Sequence, residues 1–265
     1  MARVTYPNFA GKHAEEPLFT PSDFVAYLRR IGQLAEASAT PPSVILCYQR
    51  TLYEHVLRVE GVEGEALPSR RGYLRGLVPL PSTGGAVGVL GRFGIGAPAA
   101  AAALEELAVL GTRTVASIGT AGSLQRSLNP GDLVLCEAAI RDEGVSHHYL
   151  PPGKLASASP SLTAALGSSL RAAGASYQAG TSWTIDAPYR ETVAEARHYQ
   201  AEGVLCVEME AAALFAVASV RDVHLASAFV ISDSLAGLEW NPQFHGAEVQ
   251  GGLVTLYEAA VAALC

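Results

Sequence analysis

Short apolar runs alternate along the chain with longer stretches in which apolar residues recur every three or four positions. The short runs are typical of buried strands, and the longer stretches are typical of helices packed on a sheet. Strands are predicted in SVILCY, GYLRGLVPL, AVGVLGR, TVASIG, GDLVLCEAAI, SYQAGTSWTI, VLCVE and HLASAFVIS. Helices are predicted in TPSDFVAYLRRIGQL, GIGAPAAAAALEELAVLG, SPSLTAALGSSLRAAG, EAAALFAVASV and QGGLVTLYEAAVAAL.

Local signals support these boundaries and indicate how the elements connect. Thr20 is a predicted N-cap with Pro21 at the first helical position, and Gly111 ends the second helix. GYLRGLVPL and AVGVLGR flank the turn PSTGG and predict a hairpin. Because strands and helices alternate over most of the length, we expect one α/β domain with a mixed, mostly parallel sheet flanked by helices. Residues 1–40 are predicted to form an N-terminal extension with one helix, and residues 41–265 the domain itself.

Composition narrows the class of protein. The 265 residues include 18 Lys and Arg against 25 Asp and Glu, a net charge of -7 with no basic run, which argues against a nucleic-acid partner. The N-terminus has no continuous apolar segment typical of a signal peptide, and the most apolar window, Ala97 to Leu110, is too short to span a bilayer. The four cysteines are scattered, three of them in apolar strand-like runs, as expected of buried free thiols in a reducing cytoplasm.

Four predicted strand ends carry the residues that could perform chemistry. They are Gly94–Gly96, Gly119–Gly122, the EMEA step and the SDS step. In open α/β sheets ligands bind at the carboxyl ends of the strands, so these four segments are expected to converge. Glycine-rich strand ends let backbone amides approach an anion closely, although tight turns also need glycine for its backbone freedom alone.

Acidic residues stand at two of these strand ends. Glu208 and Glu210 lie where a strand passes into an almost wholly apolar helix. A carboxylate there can accept hydrogen bonds from a vicinal diol such as the 2′ and 3′ hydroxyls of ribose, or it can cap the helix N-terminus. Asp233 follows an apolar strand; it could act as an acid if burial raised its pKa, or form a turn or N-cap.

Taken together, these motifs resemble the nucleoside phosphorylase superfamily of the uridine and hexameric purine type, which also includes nucleosidases. VEMEAAALFAVA is the most specific motif, followed by GIGAPAAAAALEEL and SIGTAG, and the likeness runs from about Val44 to the C-terminus. The resemblance implies the three-layer fold of that family and an enzyme that cleaves the N-glycosidic bond of a nucleoside.

The resemblance also implies roles for individual residues. Glu210 and Met209, with Glu208, would hold the ribose, and Asp233 would donate a proton toward the departing purine, so that Glu210 and Asp233 are the expected catalytic pair. Residues expected to contact phosphate are Gly119, Thr120, Arg50, Arg92 and Arg71, the last reaching a neighbouring subunit. Residues expected to contact the base are Tyr189, Arg190, Gly122 and Asp233, and His13 is a further candidate at the ribose.

Two departures from the family pattern bear on the chemistry. The phosphorylases usually carry arginine two places before the glycine of the SIGTAG motif, and this chain has Ser117 there. The early phosphate loop GDP-x-R is replaced by LCYQRT, in which only Arg50 remains. Losing one charge-assisted partner for phosphate costs about 1.5–3 kcal/mol unless another group, such as Arg92, replaces it.

The sequence therefore predicts a nucleoside phosphorylase, a pentosyltransferase that uses inorganic phosphate as co-substrate and gives free base and ribose 1-phosphate. A purine nucleoside is the expected substrate because of Asp233. Uridine phosphorylase and a phosphate-independent nucleosidase are the alternatives, and a non-catalytic nucleoside-binding member is the least favoured. No cofactor and no metal are expected. The resemblance implies a homo-oligomer, a dimer or a hexamer built as a trimer of dimers, with the active site shared between subunits.

Overall fold

A computed structural model describes residues 9–36, 38–62 and 72–265. The helices are α1 Pro21–Arg30, α2 Arg50–Val59, α3 Ala97–Val109, α4 Pro160–Ala172, α5 Val193–Ala201, α6 Ala211–Arg221 and α7 Ala247–Leu264. The strands are β1 Ser43–Cys47, β2 Gly76–Pro79, β3 Val87–Gly91, β4 Thr114–Ser123, β5 Leu133–Asp142, β6 Leu155–Ser157, β7 Tyr177–Ile185, β8 Cys206–Glu208, β9 His224–Ser234 and β10 Asn241–Pro242.

The strands form one sheet in the order β10-β9-β5-β7-β8-β4-β1-β3-β2, with β6 added to β5. β4 also pairs with β9 along its whole length, while β8 pairs with β4 only at Gly122 and Ser123, beyond the end of β1. The sheet therefore closes on itself through β4, β8, β7, β5 and β9. Because the longest ladders, β4–β9 and β5–β7, are parallel, the prediction of a mixed, mostly parallel sheet is confirmed.

Helices cover both faces of the sheet. On one face α3 packs against α6, and their buried residues, such as Leu104 and Phe215, join the core that includes Leu46 of β1. On the other face α2, α4 and α7 contribute Val56, Leu166 and Leu253 to a second core. β1 is buried at every position, as expected of a strand covered on both sides.

Several local predictions are confirmed, and one helix, α5, was missed. Thr20 caps α1 in a capping box with Asp23, and β2 and β3 form the predicted hairpin. No helix was predicted for the segment that forms α5, although Thr192 and Glu195 form a second capping box at its start. β4 runs to Ser123, past the predicted TVASIG, because β8 and β9 supply partners for the added residues.

The structure also bears on the cysteines and on possible membrane-spanning helices. Cys47, Cys136 and Cys206 are buried free thiols, as predicted, and Cys265 is exposed. Within residues 9–36, 38–62 and 72–265, none of the helices combines the length and apolar composition that crossing a bilayer requires. The cytoplasmic location and the division of the chain at residue 40 stay predictions.

The neighbouring glycines of α7 provide a matched pair for testing how this helix packs. A Cβ at Gly252 would lie 2.5 Å from Cγ2 of Val230 in β9, whereas a Cβ at Gly251 would meet no described atom within 4 Å. Gly251→Ala is expected to raise the free energy of unfolding by about 0.5–1 kcal/mol through helix propensity. Gly252→Ala is expected to lower it by about 1–3 kcal/mol through overpacking. Urea denaturation measures both, and equal effects at the two positions would contradict the packing described.

Candidate functional site

Glu208 anchors the junction between β8 and α6. Its Oε1 accepts hydrogen bonds from the hydroxyls of Ser182, at 3.0 Å, and Thr184 on the adjacent strand β7. Its Oε2 accepts from the backbone N–H groups of Glu210 and Ala211, both at 2.7 Å. These contacts occupy both carboxylate oxygens and two of the N–H groups at the start of the helix. They favour the helix-capping alternative for Glu208, and its predicted contact with ribose stays a prediction.

Glu210 lies at the N-cap of α6 and is 9% exposed. Its Oε1 accepts a hydrogen bond of 2.5 Å from the N–H of Gly96, the N-cap of α3. Burial raises the pKa of Glu210 to about 8, and the charge of nearby Glu208 adds to the rise. Met209 lies beside the same Gly96, with its Cε 3.9 Å from the position of a Cβ there. The structure thus brings two of the predicted strand ends, Gly94–Gly96 and the EMEA step, together at one buried carboxyl group.

The strand end carrying Gly119 and Thr120 is covered by two residues that follow β1. The Tyr48 hydroxyl and Ser117 Oγ share a hydrogen bond of 2.9 Å. Gln49 donates from Nε2 to Thr120 Oγ1 at 3.0 Å, and Tyr48 packs close enough that a Cβ at Gly119 would lie 3.1 Å from its ring. The aromatic ring therefore fills the space beside Ser117. Sequence reasoning identified Ser117 as a departure from the family pattern. It missed Tyr48, which hydrogen-bonds to Ser117, and Gln49, which hydrogen-bonds to Thr120.

Arg50 and Arg92 line one cavity. Its volume is about 380 Å³, and the other lining residues are Cys47, Tyr48, Gln49 and Tyr53. Arg92 has φ 61, in the left-handed region, where a non-glycine residue costs about 1–3 kcal/mol and often serves a ligand site. Its guanidinium lies 5.2 Å from the centre of the Tyr53 ring. Arg50 pairs with Glu54 at 2.6 Å and is otherwise exposed. The structure thus places two of the three predicted phosphate arginines in the lining of one cavity.

Asp233 is 8% exposed, near the end of β9. Its Oδ1 accepts from Ser232 Oγ at 2.8 Å and its Oδ2 from Trp240 Nε1 at 3.1 Å. Burial raises the pKa of Asp233, while these two donors oppose the rise. Gly122 lies between Asp233 and the β8 strand, since a Cβ there would be 3.1 Å from Asp233 Oδ2 and 3.2 Å from Val207. The acid and the Glu208–Glu210 step therefore flank the same end of β4.

Trp240 is a third residue that sequence reasoning missed. Its position just before β10 brings it back over Asp233, because Pro242 of β10 pairs with Asp233 in the sheet. The indole is 63% exposed and its ring centre lies 6.3 Å from that of Phe244. Its N–H donates to a buried carboxylate, so it helps to set the charge of Asp233. The signal in the sequence that could have identified Trp240 is its position seven residues after an acid at a strand end.

The remaining predicted residues lie at the edges of the site or away from it. Tyr189 and Arg190 are exposed on a short turn before α5, which the backbone N–H of Arg190 helps to close by donating to the carbonyl of Ala187 at 2.8 Å. His13 lines a different cavity, with Lys12, Glu106 and Arg221. Arg71 lies outside the described residues. These predicted roles are untested within one chain.

A family model described as the phosphorylase superfamily matches residues 52–262. The chain belongs to the phosphorylase superfamily. This match confirms the expectation, based on the sequence motifs, that the chain is related to the nucleoside phosphorylases. It begins within α2, after the segment that contains Tyr48, Gln49 and Arg50, so the departures from the family pattern fall partly outside it.

Individual relatives agree with the superfamily match. Over 140 residues the chain is 34% identical to the uridine phosphorylase of Haemophilus influenzae. This alignment covers 48% of this chain and 56% of that protein. The chain thus spans about half the length of the curated relatives it matches. A crystal structure of purine nucleoside phosphorylase from Toxoplasma gondii with immucillin-H has a TM-score of 0.72 at 22% identity, covering 87% of this chain and 92% of that one. Uridine phosphorylase from Vibrio fischeri has a TM-score of 0.64 at 25% identity, covering 85% and 90%. These structures confirm the predicted fold.

Removing the indole donor tests the electrostatics at Asp233. Trp240→Phe keeps a ring beside Phe244 but removes the N–H that favours the charged carboxylate, so the pKa of Asp233 is expected to rise further. Carbon-13 NMR of the aspartate carboxyl groups measures it, with Asp233→Asn identifying the signal. Asp142, which accepts from Trp183 Nε1 at 2.9 Å, serves as an internal control that should not change. An unchanged or lower pKa for Asp233 would show that Trp240 does not influence its charge.

Proposed function

We propose that the protein cleaves the N-glycosidic bond of a nucleoside, preferably a purine nucleoside, and transfers the ribose to inorganic phosphate. The observation that chiefly supports this is Glu210, a buried carboxyl group at a strand end with one short backbone hydrogen bond from Gly96. A buried acid with unused acceptor capacity suits the two hydroxyl donors of a ribose. Similarity to the superfamily is consistent with a pentosyltransferase.

In the proposed reaction Glu210 fixes the sugar, and Met209 lies alongside it. As the bond between C1′ and the base nitrogen breaks, its electron pair goes to the base and positive charge develops on the sugar. A phosphate oxygen then forms the new bond to C1′, giving ribose 1-phosphate. Asp233, whose pKa burial raises, supplies the proton that neutralises the departing purine. The rate gain comes from binding these developing charges more tightly than the ground state.

Phosphate is proposed to bind beside Arg92 and Arg50. Their shared cavity opens next to Gln49, which is in contact with Thr120, so an anion there would lie near the glycine strand end. Arg92 would supply the positive charge that Ser117 does not, and Arg50 would add to it by exchanging its exposed ion pair with Glu54 for phosphate. The proposed homo-oligomer would add Arg71 and His13 from a neighbouring subunit, and Tyr189 and Arg190 would contact the base once it is bound.

Hydrolysis is the second candidate, and the contacts at Tyr48 and Gln49 favour it. Thr120, which is expected to contact phosphate, and Ser117, which stands where the family pattern has arginine, already have side-chain partners. Oε1 of Gln49 is buried and accepts no hydrogen bond from the described residues. A buried acceptor of this kind suits a water molecule, which could replace phosphate as the nucleophile.

Base release with and without inorganic phosphate decides between the two candidates. The substrates are inosine, adenosine, guanosine, uridine and methylthioadenosine. Phosphate-dependent release with sugar 1-phosphate as co-product, fastest for a purine, is the expected result. Equal release without phosphate, giving free sugar, would replace phosphorolysis by hydrolysis. No release from any substrate would overturn the proposal altogether.

Arg92 provides a sharper test of the phosphate site. Arg92→Gln is expected to raise the KM for phosphate about ten- to a hundredfold, the effect of losing one charge-assisted hydrogen bond. The KM for the nucleoside should stay close to that of the wild type. Arg58→Gln, on the exposed side of α2, is the matched control and should change neither constant. An equal effect of both substitutions would place phosphate elsewhere.

A further inference from the structure

Asp233 has a second acidic residue near it that the proposed mechanism does not use. Glu191 follows the short turn Pro188–Arg190 and directly precedes Thr192, the N-cap of α5. Its side chain is partly buried, and the negative charge of Asp233 helps to raise its pKa. The two carboxyl groups therefore lie close enough to interact at the end of β9, where the departing base is proposed to bind.

The packing of α5 holds Glu191 beside the loop that follows β9. The helix begins in a capping box directly after Glu191, which fixes the direction of its first turn. One turn later Ala196 belongs to a buried cluster against which Leu235 packs, and Gln200 donates from Nε2 to the carbonyl of Ala236 at 3.4 Å. The turn before α5 and the loop after β9 are thus joined by packed elements, and their two acids are held at a fixed separation.

The two acids differ in the hydrogen-bond donors around them. Both oxygens of Asp233 accept hydrogen bonds, from Ser232 Oγ at 2.8 Å and from Trp240 Nε1 at 3.1 Å. Within residues 9–36, 38–62 and 72–265, no group donates a hydrogen bond to the carboxyl group of Glu191. Donors favour the charged form of a carboxyl group. Asp233 is therefore the better place for a negative charge, and Glu191 the better place for a proton.

Burial and like charge keep that proton on Glu191. Burial raises the pKa of Glu191 to about 7, and the charges of Asp233 and then Glu195 add to the rise. The other charged groups of the flanking turn and loop, Arg190 and Glu239, are exposed. Two interacting carboxyl groups lose their protons in steps that belong to the pair. The pair therefore still carries one proton at neutral pH, when Asp233 alone would be charged.

We propose that Glu191 and Asp233 act as one acid pair that shares a single proton, and that this proton is the one given to the departing purine. The inference rests on the proposed function. As the bond between C1′ and the base nitrogen breaks, its electron pair goes to the base, and the shared proton moves through Asp233 to a ring nitrogen of the base. The pair is left with two negative charges and regains a proton from solvent after the base departs. Glu191 acts through Asp233 and is a positioning residue.

The pH dependence of kcat for inosine, at saturating inosine and phosphate, tests this role. Glu191→Gln cannot hold the shared proton, so its kcat relative to that of the wild type is expected to fall about tenfold or more between pH 5 and pH 8. Glu239→Gln, on the exposed loop beside Trp240, is the matched control and should follow the wild type at every pH. A loss of kcat that is the same at all pH values, or no loss, would overturn the acid pair.

A titration of Glu191 tests the pair without catalysis. Carbon-13 NMR of the glutamate carboxyl groups should show the pKa of Glu191 to be lower in Asp233→Asn than in the wild type, because the neighbouring charge is gone. Glu191→Asp identifies the signal by removing it. An unchanged pKa would overturn the pair even where Glu191→Gln fails to fold. Failure of the wild type to release base from any nucleoside would overturn the proposed function instead, and with it the use of the proton.

Discussion

The turn from β8 into α6 depends on the buried carboxylate of Glu208. Two hydroxyls of β7 and two backbone amides at the start of α6 donate to it, so strand, turn and helix are held by one side chain. This arrangement fixes the direction of Glu210, which accepts from the amide of Gly96. The N-termini of α3 and α6 therefore meet at the carboxyl group of Glu210. The other elements of the candidate site, at the ends of β4 and β9, lie around this point.

Two carboxyl groups this close cannot both be charged at low cost. Burial raises the pKa of Glu208 as well, but four hydrogen-bond donors oppose that rise, so Glu208 is the better place for the charge. Burial together with the charge of Glu208 raises the pKa of Glu210 to about 8, which favours a proton on Glu210 at neutral pH. In the function proposed above, a vicinal diol supplies two hydrogen-bond donors, which favour the charged form, so sugar binding would be coupled to loss of this proton. A ligand without the diol would leave the buried acid protonated.

The sequence was sufficient for the fold and for much of the site because both leave local patterns. Apolar runs separated by glycine and proline identified the central strands, and the position of Glu210 and Asp233 at strand ends identified them as candidates. The covering of Thr120 by Gln49 could not be predicted, since it joins residues 71 positions apart and depends on side-chain packing. Ser117 was recognised as a departure, but its partner Tyr48 requires the register of β1 against β4. Trp240 was missed for the same reason, because β10 has only two residues and no pattern of its own.

Proton release on sugar binding tests the account of Glu210 most directly. Inosine would be titrated calorimetrically into the Asp233→Asn variant without phosphate, in buffers of different ionisation enthalpy, so that binding is measured without cleavage. At pH 7 we expect release of about 0.9 proton per bound nucleoside, falling toward zero by pH 9.5, as a group of pKa about 8 requires. The 2′,3′-dideoxy analogue should release none. Binding of inosine at pH 7 without proton release would contradict the assignment of Glu210 as the protonated acid that receives the ribose hydroxyls.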